Sequence, residues 1–347
     1  MESSDYNSLS KFFHHLSLGS KNVSELSFDL DQQLFYQKKK NTQFKDNHLF
    51  ISGLARSGTT ALLEILNKSE EFISLTYSDL PFILSPSLNS KIVKNKLKTE
   101  LKERAHKDGI FVNNESPEAL DEVFWKVFLN DNYIQKDRMN LNSISGEILE
   151  KYKNYVERIT YNNGRPKRYL SKNNNLVLRI DSILKIYPNS TIVIPFRDPL
   201  QHAISLLNQH LHFSELQKRD PFSLKFMNWL GHHEFGLNQK PFYLGNDRIF
   251  NEMKNYKRED INYWLLSWLN YYSYIVKQLN SSIVLFDYDN FCNQPKIELK
   301  KICETINIDK DSLELMAFKN KLKTNSNSDP VILNKCYLIH SQLITKK

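Results

Sequence analysis

The sequence predicts an α/β fold of three layers, in which helices cover both faces of a central parallel sheet. Short apolar strands alternate with amphipathic helices along much of the 347-residue chain. The first strand, Leu49–Ile51, runs into a turn bracketed by Gly53 and Gly58 and then into a helix that includes Ala61–Leu66. Because parallel strands need long crossovers, this alternation favours right-handed βαβ units with a phosphate-binding turn of the P-loop type.

The composition allows one large or two small domains with a sizeable core, since 40% of the residues are hydrophobic and 12% are aromatic. The formal net charge of +8 suits an anionic ligand, and no basic arm points to nucleic acid. Three cysteines are too few for a disulfide framework and favour a reducing, cytoplasmic compartment. Neither a signal peptide nor an apolar run of about 20 residues is present, so no membrane span is expected.

The chain is expected to divide into three parts. Residues 1–46 are predicted to be a polar, helical extension, residues 47–320 the α/β domain, and residues 321–347 a C-terminal segment. Two insertions, at about 85–165 and 213–260, interrupt the α/β pattern, and the second is expected to be irregular because it is rich in proline and glycine. We expect both insertions to cover the side of the domain on which an acceptor binds.

Two helices are predicted within the first insertion. Apolar residues at helical spacing predict a basic helix over Leu88–Lys107, whose lysines can either form a solvated face or guide an anionic acceptor. Further along, Ser116 can cap a helix that has Pro117 at its first position. This reading places Glu118 in the first helical turn, where a carboxylate complements the helix dipole.

The alternation of strands and helices resumes after the first insertion. The pattern predicts, in order, a strand over Arg168–Lys172, a helix over Leu176–Tyr187, a strand over Thr191–Phe196, a helix over Leu200–His212, a helix over Ile261–Leu279, a strand over Ser282–Asp287 and a helix over Lys296–Ile306. The strand Thr191–Phe196 is apolar and β-branched, which is typical of a strand that is buried on both faces.

The glycine-bracketed turn after the first strand has the pattern of a phosphate cradle. Backbone N–H groups of such a turn and of the following helix N-terminus point at one anion, and Gly53 and Gly58 permit its close approach. The spacing is that of a P-loop, except that Thr59 stands where the lysine would bind a nucleoside triphosphate. Arg56 supplies the cation instead, which favours a different phosphate-bearing donor. An unusual nucleotide kinase and a nucleotide-binding module without turnover remain alternatives.

Three segments together resemble the sulfotransferase family, which uses 3′-phosphoadenosine 5′-phosphosulfate as its donor. Ala55–Thr60 is similar to the family's 5′-phosphosulfate loop. Ile192–Pro199 resembles its 3′-phosphate motif, and Val284–Asn290 is similar to the segment whose tyrosine contacts the nucleotide. The resemblance spans roughly residues 48–306, with the middle unaligned, and its specificity lies in the order of the segments and their placement at strand ends.

The resemblance implies transfer of a sulfuryl group to a hydroxyl or amine, with a carbohydrate or glycan as the first expected acceptor and a small alcohol or phenol as the second. Such a donor carries no triphosphate, so no metal is required. Arg197, at the end of an apolar strand, can bind a phosphate bidentately. The residues expected to bind the donor are Arg56, Ser57, Gly58, Thr59, Thr60, Arg197, Ser205 and Tyr288.

The chain departs from the family's pattern at two positions. Ala61 stands where cytosolic members have a tryptophan that stacks on the adenine. Lys172 matches the family's strand lysine, but Asn174 stands where those members have their catalytic histidine. An asparagine amide does not accept a proton, so the base must be another group.

A carboxylate is the expected replacement for the missing histidine. Glu118 is the preferred general base, and Glu115 and Asp79 are the alternatives. Arg56 and Lys172 are expected to stabilise the charge that develops on the bridging oxygen of the donor. Arg56, Lys172 and Glu118 therefore make up the predicted catalytic set.

Overall fold

Parallel strands form the centre of the protein in a computed structural model that describes residues 8–36, 39–40, 42–93, 99–104, 106, 109–130, 132–161, 164–309, 313 and 327–347. The strands of these residues are β1 (Leu49–Ile51), β2 (Phe72–Ile73), β3 (Lys102–Glu103), β4 (Phe111–Val112), β5 (Met139–Asn140), β6 (Arg168–Lys172), β7 (Thr191–Phe196), β8 (Phe242–Tyr243) and β9 (Ile283–Asp287). Five of them make one parallel sheet in the order β2-β6-β1-β7-β9. The predicted central parallel sheet is therefore confirmed.

Helices surround this sheet on both faces. The described residues form α1 (Ser8–Gly19), α2 (Lys21–Tyr36), α3 (Thr59–Leu66), α4 (Pro86–Val93), α5 (Glu122–Phe128), α6 (Gly146–Thr160), α7 (Ile180–Ile186), α8 (Pro199–Arg219), α9 (Pro221–Trp229), α10 (Asp247–Met253), α11 (Ile261–Gln278), α12 (Tyr288–Asn293), α13 (Pro295–Ile306) and α14 (Pro330–Lys346). None of them is long and apolar enough to cross a membrane.

Two hydrophobic cores lie on opposite faces of the sheet. Successive side chains of a strand point to opposite faces. Leu49 and Ile51 accordingly pack in one core with α3 and α13, while Phe50 between them belongs to the larger core with α11. Burial on both faces explains why β1 is continuously apolar. The two cores on either side of the sheet confirm the three-layer α/β fold.

The register of the sheet brings four strand ends to one edge. Ile51 at the end of β1 lies opposite Lys172 of β6 and Val193 of β7. Phe196 at the end of β7 lies opposite Asp287 of β9. The loops after these four strands therefore leave the same edge, which is where open α/β sheets bind their ligands.

The first insertion differs from its prediction. The basic helix expected over Leu88–Lys107 is correct only at its start, because α4 ends at Val93 and Lys102 lies in the short strand β3. Residues 94–98, with three of the lysines expected on that helix, fall outside the described residues. Because Lys102 lies in a strand, the structure does not support a basic helical lid that includes this residue.

The helix expected at Ser116 is wrong, and the reason is a long-range pairing. The N–H of Glu118 donates to the carbonyl of Leu75 at 2.9 Å, and Pro117 forms a β-bridge with Thr76. The helix α5 begins only at Glu122. Tertiary hydrogen bonds thus override the local capping signal and leave Glu118 on an extended segment against the sheet.

The second insertion contains more helix than its prediction allowed. Helix α8 runs on to Arg219, and the side chain of Asp220 then caps α9 by accepting from the N–H of Phe222 at 3.2 Å. Pro221 takes the first position of α9, where its missing N–H costs nothing.

At the other end of the chain, α2 packs its buried Phe28 against Tyr155 of α6. The division into three parts stays a prediction.

Candidate active site

The turn after β1 is built tightly around its glycines. Gly58 has a φ of 100° and Arg56 a φ of 70°, both in the left-handed region. A Cβ on Gly53 would lie 2.5 Å from the hydroxyl oxygen of Ser57. The N–H of Ser57 donates to the carbonyl of Leu54 at 3.1 Å, which closes the turn. Glycine is thus required at position 53, as the sequence pattern predicts.

The N-terminus of α3 opens toward this turn without a side-chain cap. Gly58 is the N-cap residue, and no side chain of the described residues accepts a hydrogen bond there. The first N–H groups of a helix have no partner within the helix, so they attract an anion. Nearby, the guanidinium of Arg104 donates to the hydroxyl of Thr60 at 3.2 Å. The uncapped N–H groups and the guanidinium of Arg104 lie at the same helix start, an arrangement that suits an anion.

Residues from separate segments of the sequence meet beside the turn. The Nε of Arg56 donates to the hydroxyl of Ser205 on α8 at 3.4 Å. The Nη1 of Arg197, just after β7, donates to the carbonyl of Arg56 at 3.4 Å. The two arginines expected to bind opposite phosphorylated ends of one donor are therefore linked directly, since Arg197 contacts the backbone of Arg56.

Tyr288, at the start of α12, covers the turn from the other side. A Cβ on Gly58 would lie 2.1 Å from the Cδ2 atom of the tyrosine ring. The guanidinium of Arg197 lies 5.4 Å from the centroid of that ring, and its Nε is 3.7 Å from the carboxylate of Asp289. The ring and the carboxylate hold the Arg197 side chain next to the phosphate cradle.

Lys172 and Glu118 lie in the same pocket as Arg56. The hydroxyl of Tyr77 and the backbone N–H of Ala119 donate hydrogen bonds to Glu118. Burial raises the pKa of Glu118, but the Lys172 ammonium and the Tyr77 hydroxyl outweigh burial and leave that pKa below its usual value. Burial lowers the pKa of Lys172, and the nearby carboxylates of Glu118 and Glu234 oppose that shift.

One pocket contains Arg56, Lys172 and Glu118, whereas Arg197, Ser205 and Tyr288 do not line it. It is lined on its polar side by Arg56, Thr59, Thr60, Tyr77, Arg104, His106, Glu118, Lys172, Asn174, His232 and Glu234. Its other wall is mainly apolar and contains Phe213, Phe226, Met227, Leu230 and Phe235. Glu115 is exposed, and Asp79 accepts from the N–H of Thr76 at 2.7 Å; neither lines this pocket. Of the three candidate bases, the structure brings only Glu118 to the pocket.

A histidine and a carboxylate that the sequence does not predict also line this pocket. The amide of Asn174 donates to Oε1 of Glu234 at 2.9 Å, and Nδ1 of His232 lies 3.4 Å from the same oxygen. Burial lowers the pKa of His232, but the Glu234 carboxylate outweighs burial and raises it above its usual value. The sequence offered one signal. An asparagine stands at the position of the family's catalytic histidine, so another residue nearby has to act as the base.

A further carboxylate, Glu64 of α3, lies near Glu118 and gives a testable pH dependence. Burial, followed by repulsion from Glu118, raises the pKa of Glu64 to about 7. The folded protein therefore holds a proton that the unfolded chain releases above about pH 4.5, so this group destabilises the fold as the pH rises toward 7. We expect the Glu64→Gln variant to lack this loss, which is about 1–2 kcal/mol after solvent screening.

Urea unfolding of both proteins at pH 4.5 and pH 7.5 measures the effect. The free energy of unfolding of the native sequence should fall relative to that of the Glu64→Gln variant between these two pH values. An identical pH dependence in both proteins would show that Glu64 ionises normally.

The sequence of the chain matches a known protein family. The family model described as "Sulfotransferase family" matches residues 48–251, which is more than half of the chain. These residues include β1 with its turn, Lys172, Arg197 and the pocket residues up to Phe235. No curated protein matches the chain.

Several solved sulfotransferases are similar to the chain at low identity. Sulfotransferase STF1 from Mycobacterium tuberculosis H37Rv is 14% identical with a TM-score of 0.49, over 88% of this chain and 78% of that chain. A sulfotransferase from Alicyclobacillus acidocaldarius is 14% identical with a TM-score of 0.40, over 86% and 93%. The sulfotransferase domain from the curacin biosynthetic pathway is 12% identical with a TM-score of 0.41, over 87% and 99%.

Proposed function

Since the chain belongs to the sulfotransferase family, we propose that it transfers a sulfuryl group from 3′-phosphoadenosine 5′-phosphosulfate to a hydroxyl or amine of an acceptor. Family membership implies a transferase, and the choice of donor and acceptor is the proposal. The observation that carries it is the meeting of Arg56, Ser205 and Arg197 beside the uncapped N-terminus of α3.

The proposed donor site uses residues on both sides of the turn. Arg56 binds the 5′-phosphosulfate together with the backbone N–H groups of Ser57 to Thr60 and the threonine hydroxyls. Arg197 and Ser205 bind the 3′-phosphate, for which a planar guanidinium provides two parallel donors. Tyr288 contacts the nucleotide from the side opposite the pocket. This division explains why a threonine can stand at the P-loop lysine position.

The proposed chemistry depends on position and charge. The donor supplies an activated sulfuryl group, and the pocket supplies cations at the oxygen that bridges it to the phosphate. Arg56 and Lys172 stabilise the negative charge that develops there. Glu118 is the carboxylate base expected from the sequence, but a carboxylate with a lowered pKa is a weak base. Its proximity to Lys172 also supports a role in keeping that ammonium charged.

The apolar wall of the pocket supports one class of acceptor. Phe213, Phe226 and Phe235 add aromatic surface to the pocket that Lys172 and Glu118 also line. Such a wall suits an alcohol or phenol with an apolar body better than the carbohydrate that was expected first from the sequence. A cytoplasmic setting, which rests on the cysteine count, is also part of the proposal.

Thermal unfolding tests the donor site directly. Adenosine 3′,5′-bisphosphate at 100 times its dissociation constant should stabilise the fold by about 2.7 kcal/mol, while ATP with Mg²⁺ should give a much smaller shift. The Arg197→Ala variant should lose most of the preference for the bisphosphate over adenosine 5′-monophosphate. Stabilisation by ATP with Mg²⁺ instead would support a nucleotide kinase and contradict the proposal.

Transfer is then measured with donor labelled in the sulfuryl group and a panel of alkyl alcohols, phenols and saccharides. The apolar alcohols and phenols are expected to accept the label. Bisphosphate binding without transfer to any compound of the panel would support a binding module without turnover.

A further inference from the structure

We propose that His232, oriented by Glu234, accepts the proton of the attacking acceptor group, and that this pair takes over from the histidine whose place Asn174 occupies. The inference rests on the proposed sulfuryl transfer and names the base for it. It replaces Glu118 in that role and leaves Glu118 as the partner of Lys172.

The three side chains form a hydrogen-bonded chain that leads into the pocket. Asn174, which follows β6, donates to Oε1 of Glu234, and the same oxygen lies 3.4 Å from Nδ1 of His232. A carboxylate only accepts hydrogen bonds, so Nδ1 carries the hydrogen and Nε2 keeps its lone pair. This is the arrangement in which a carboxylate fixes the tautomer and orientation of a histidine base. Through Glu234, the amide of Asn174 is thus linked to a histidine that lies about 60 residues further along the chain.

The loop that carries His232 is held firmly from several sides. The carbonyl of Gly231 accepts from the amide of Asn175 at 3.0 Å, and the N–H of His232 donates to the carbonyl of Met227 at 2.9 Å. Gly231 has a φ of 74°, and a Cβ there would lie 2.6 Å from the Cγ atom of Glu122. These contacts fix the imidazole relative to the end of β6, where Lys172 lies.

The electrostatic surroundings favour His232 over Glu118 as a base. The charged and titratable groups that face the imidazole within the pocket or act on it are Glu234, Lys172, Glu118, Arg56, Arg104, His106 and His233. Among these, Glu234 outweighs burial and raises the pKa of His232, whereas the pKa of Glu118 is lowered. General base catalysis is most efficient when the pKa of the base lies near the working pH. A histidine whose pKa is raised is a stronger base than a carboxylate whose pKa is lowered, which favours His232.

The proposed step balances without a further reactant. The acceptor oxygen forms a bond to sulfur while the bond between sulfur and the bridging phosphate oxygen breaks, and that bond's electron pair stays on the phosphate. The acceptor proton moves to Nε2 of His232, and the imidazolium later releases it to water. Glu234 stabilises the imidazolium, and Arg56 and Lys172 stabilise the leaving phosphate.

Two variants and one control test this assignment: His232→Gln, Glu234→Gln and His233→Gln. His233 is the adjacent histidine, and burial lowers its pKa to about 4. Its Nδ1 bonds the carbonyl of Asn238 at 3.2 Å, a contact that glutamine can keep. The first readout is NMR titration of the imidazole in the complex with adenosine 3′,5′-bisphosphate. We expect the pKa of His232 to exceed 6.5 and to fall in the Glu234→Gln variant.

The second readout is the pH profile of bisphosphate release from the donor, with water as the acceptor. His232→Gln should lower the rate by roughly 10²–10³-fold and remove the acidic limb of the profile. Glu234→Gln should move that limb to lower pH, and His233→Gln should leave the profile unchanged. Free imidazole should restore part of the rate of a His232→Ala variant, which it would not do if His232 were only structural.

The outcomes separate this inference from the proposed function. If the protein does not bind the bisphosphate, the proposed function fails. If the protein binds the bisphosphate but His232→Gln keeps its rate and acidic limb, or if the pKa of His232 does not fall in the Glu234→Gln variant, the base assignment is wrong. A loss of the acidic limb in Glu118→Gln alone would return the role of base to that carboxylate.

Discussion

Replacing Arg56 by alanine is expected to lower kcat/KM for sulfuryl transfer by about 10³-fold, because one side chain contributes both to donor binding and to charge stabilisation. Its guanidinium lies in the pocket and donates to Ser205, which is predicted to bind the other end of the donor. The substitution should also weaken binding of adenosine 3′,5′-bisphosphate. Steady-state kinetics with the acceptor found by the panel, together with calorimetric titration of the bisphosphate, measure the two effects.

The fold should tolerate this substitution, so the loss is attributable to the guanidinium. Position 56 has a φ of 70°, and alanine in that conformation is no more strained than arginine. The matched control is Arg56→Lys, which keeps a positive charge but lacks the planar fork. We expect this variant to recover part of the binding and less of the rate. A rate within threefold of wild type for Arg56→Ala would remove this residue from the catalytic set.

The positions of the residues proposed to bind the donor could be predicted because these residues follow strands that are evident from the sequence. The apolar runs before Gly53 and Arg197 identify β1 and β7, and the ends of parallel strands meet at one edge of a sheet. Local sequence therefore fixes where these residues lie. The same reasoning places Lys172 at the end of β6, and the register of the sheet confirms that position.

The acceptor side could not be predicted in the same way, because long-range contacts determine it. The capping pattern at Ser116 predicts a helix, but the hydrogen bond from Glu118 to Leu75 depends on a segment more than 40 residues earlier. His232 lies in a connection after α9 whose position relative to β6 no periodicity reveals. Ala61 is 3% exposed, so it offers no free surface on which a ring could stack.

A buried ion pair lies between the end of β6 and the loop that carries His232. Glu122 at the start of α5 pairs with Arg179 through contacts of 2.7 and 3.1 Å, and it also accepts from the amide of Asn173 at 2.8 Å. The side chain of Glu122 packs under Gly231, next to His232. Lys172 precedes Asn173 directly. The same carboxylate therefore supports both the strand end that carries the lysine and the loop that carries the proposed base.

Replacing Arg179 by alanine is expected to destabilise the fold by about 3–5 kcal/mol, because the substitution leaves the Glu122 carboxylate buried without its cation. The two side chains are 0% and 2% exposed, so water cannot replace the lost partner. The guanidinium also lies 5.0 Å from the ring centroid of Trp125 and 4.8 Å from that of Tyr133, and these contacts are lost with it. Urea unfolding at pH 7 measures the change in the free energy of unfolding.

Two controls distinguish the buried pair from an ordinary surface charge. Lys218→Ala removes an exposed partner of Glu215 and should change stability by less than about 0.5 kcal/mol. The double variant Arg179→Met with Glu122→Leu removes both buried charges and should recover much of the lost stability, since a buried pair offers little net gain over apolar packing. The double variant should still transfer sulfuryl groups more slowly, because Asn173 loses its acceptor and the loop at Gly231 loses its support. Equal destabilisation by Arg179→Ala and by the double variant would mean that packing of the two side chains, and not their charge pairing, stabilises this region.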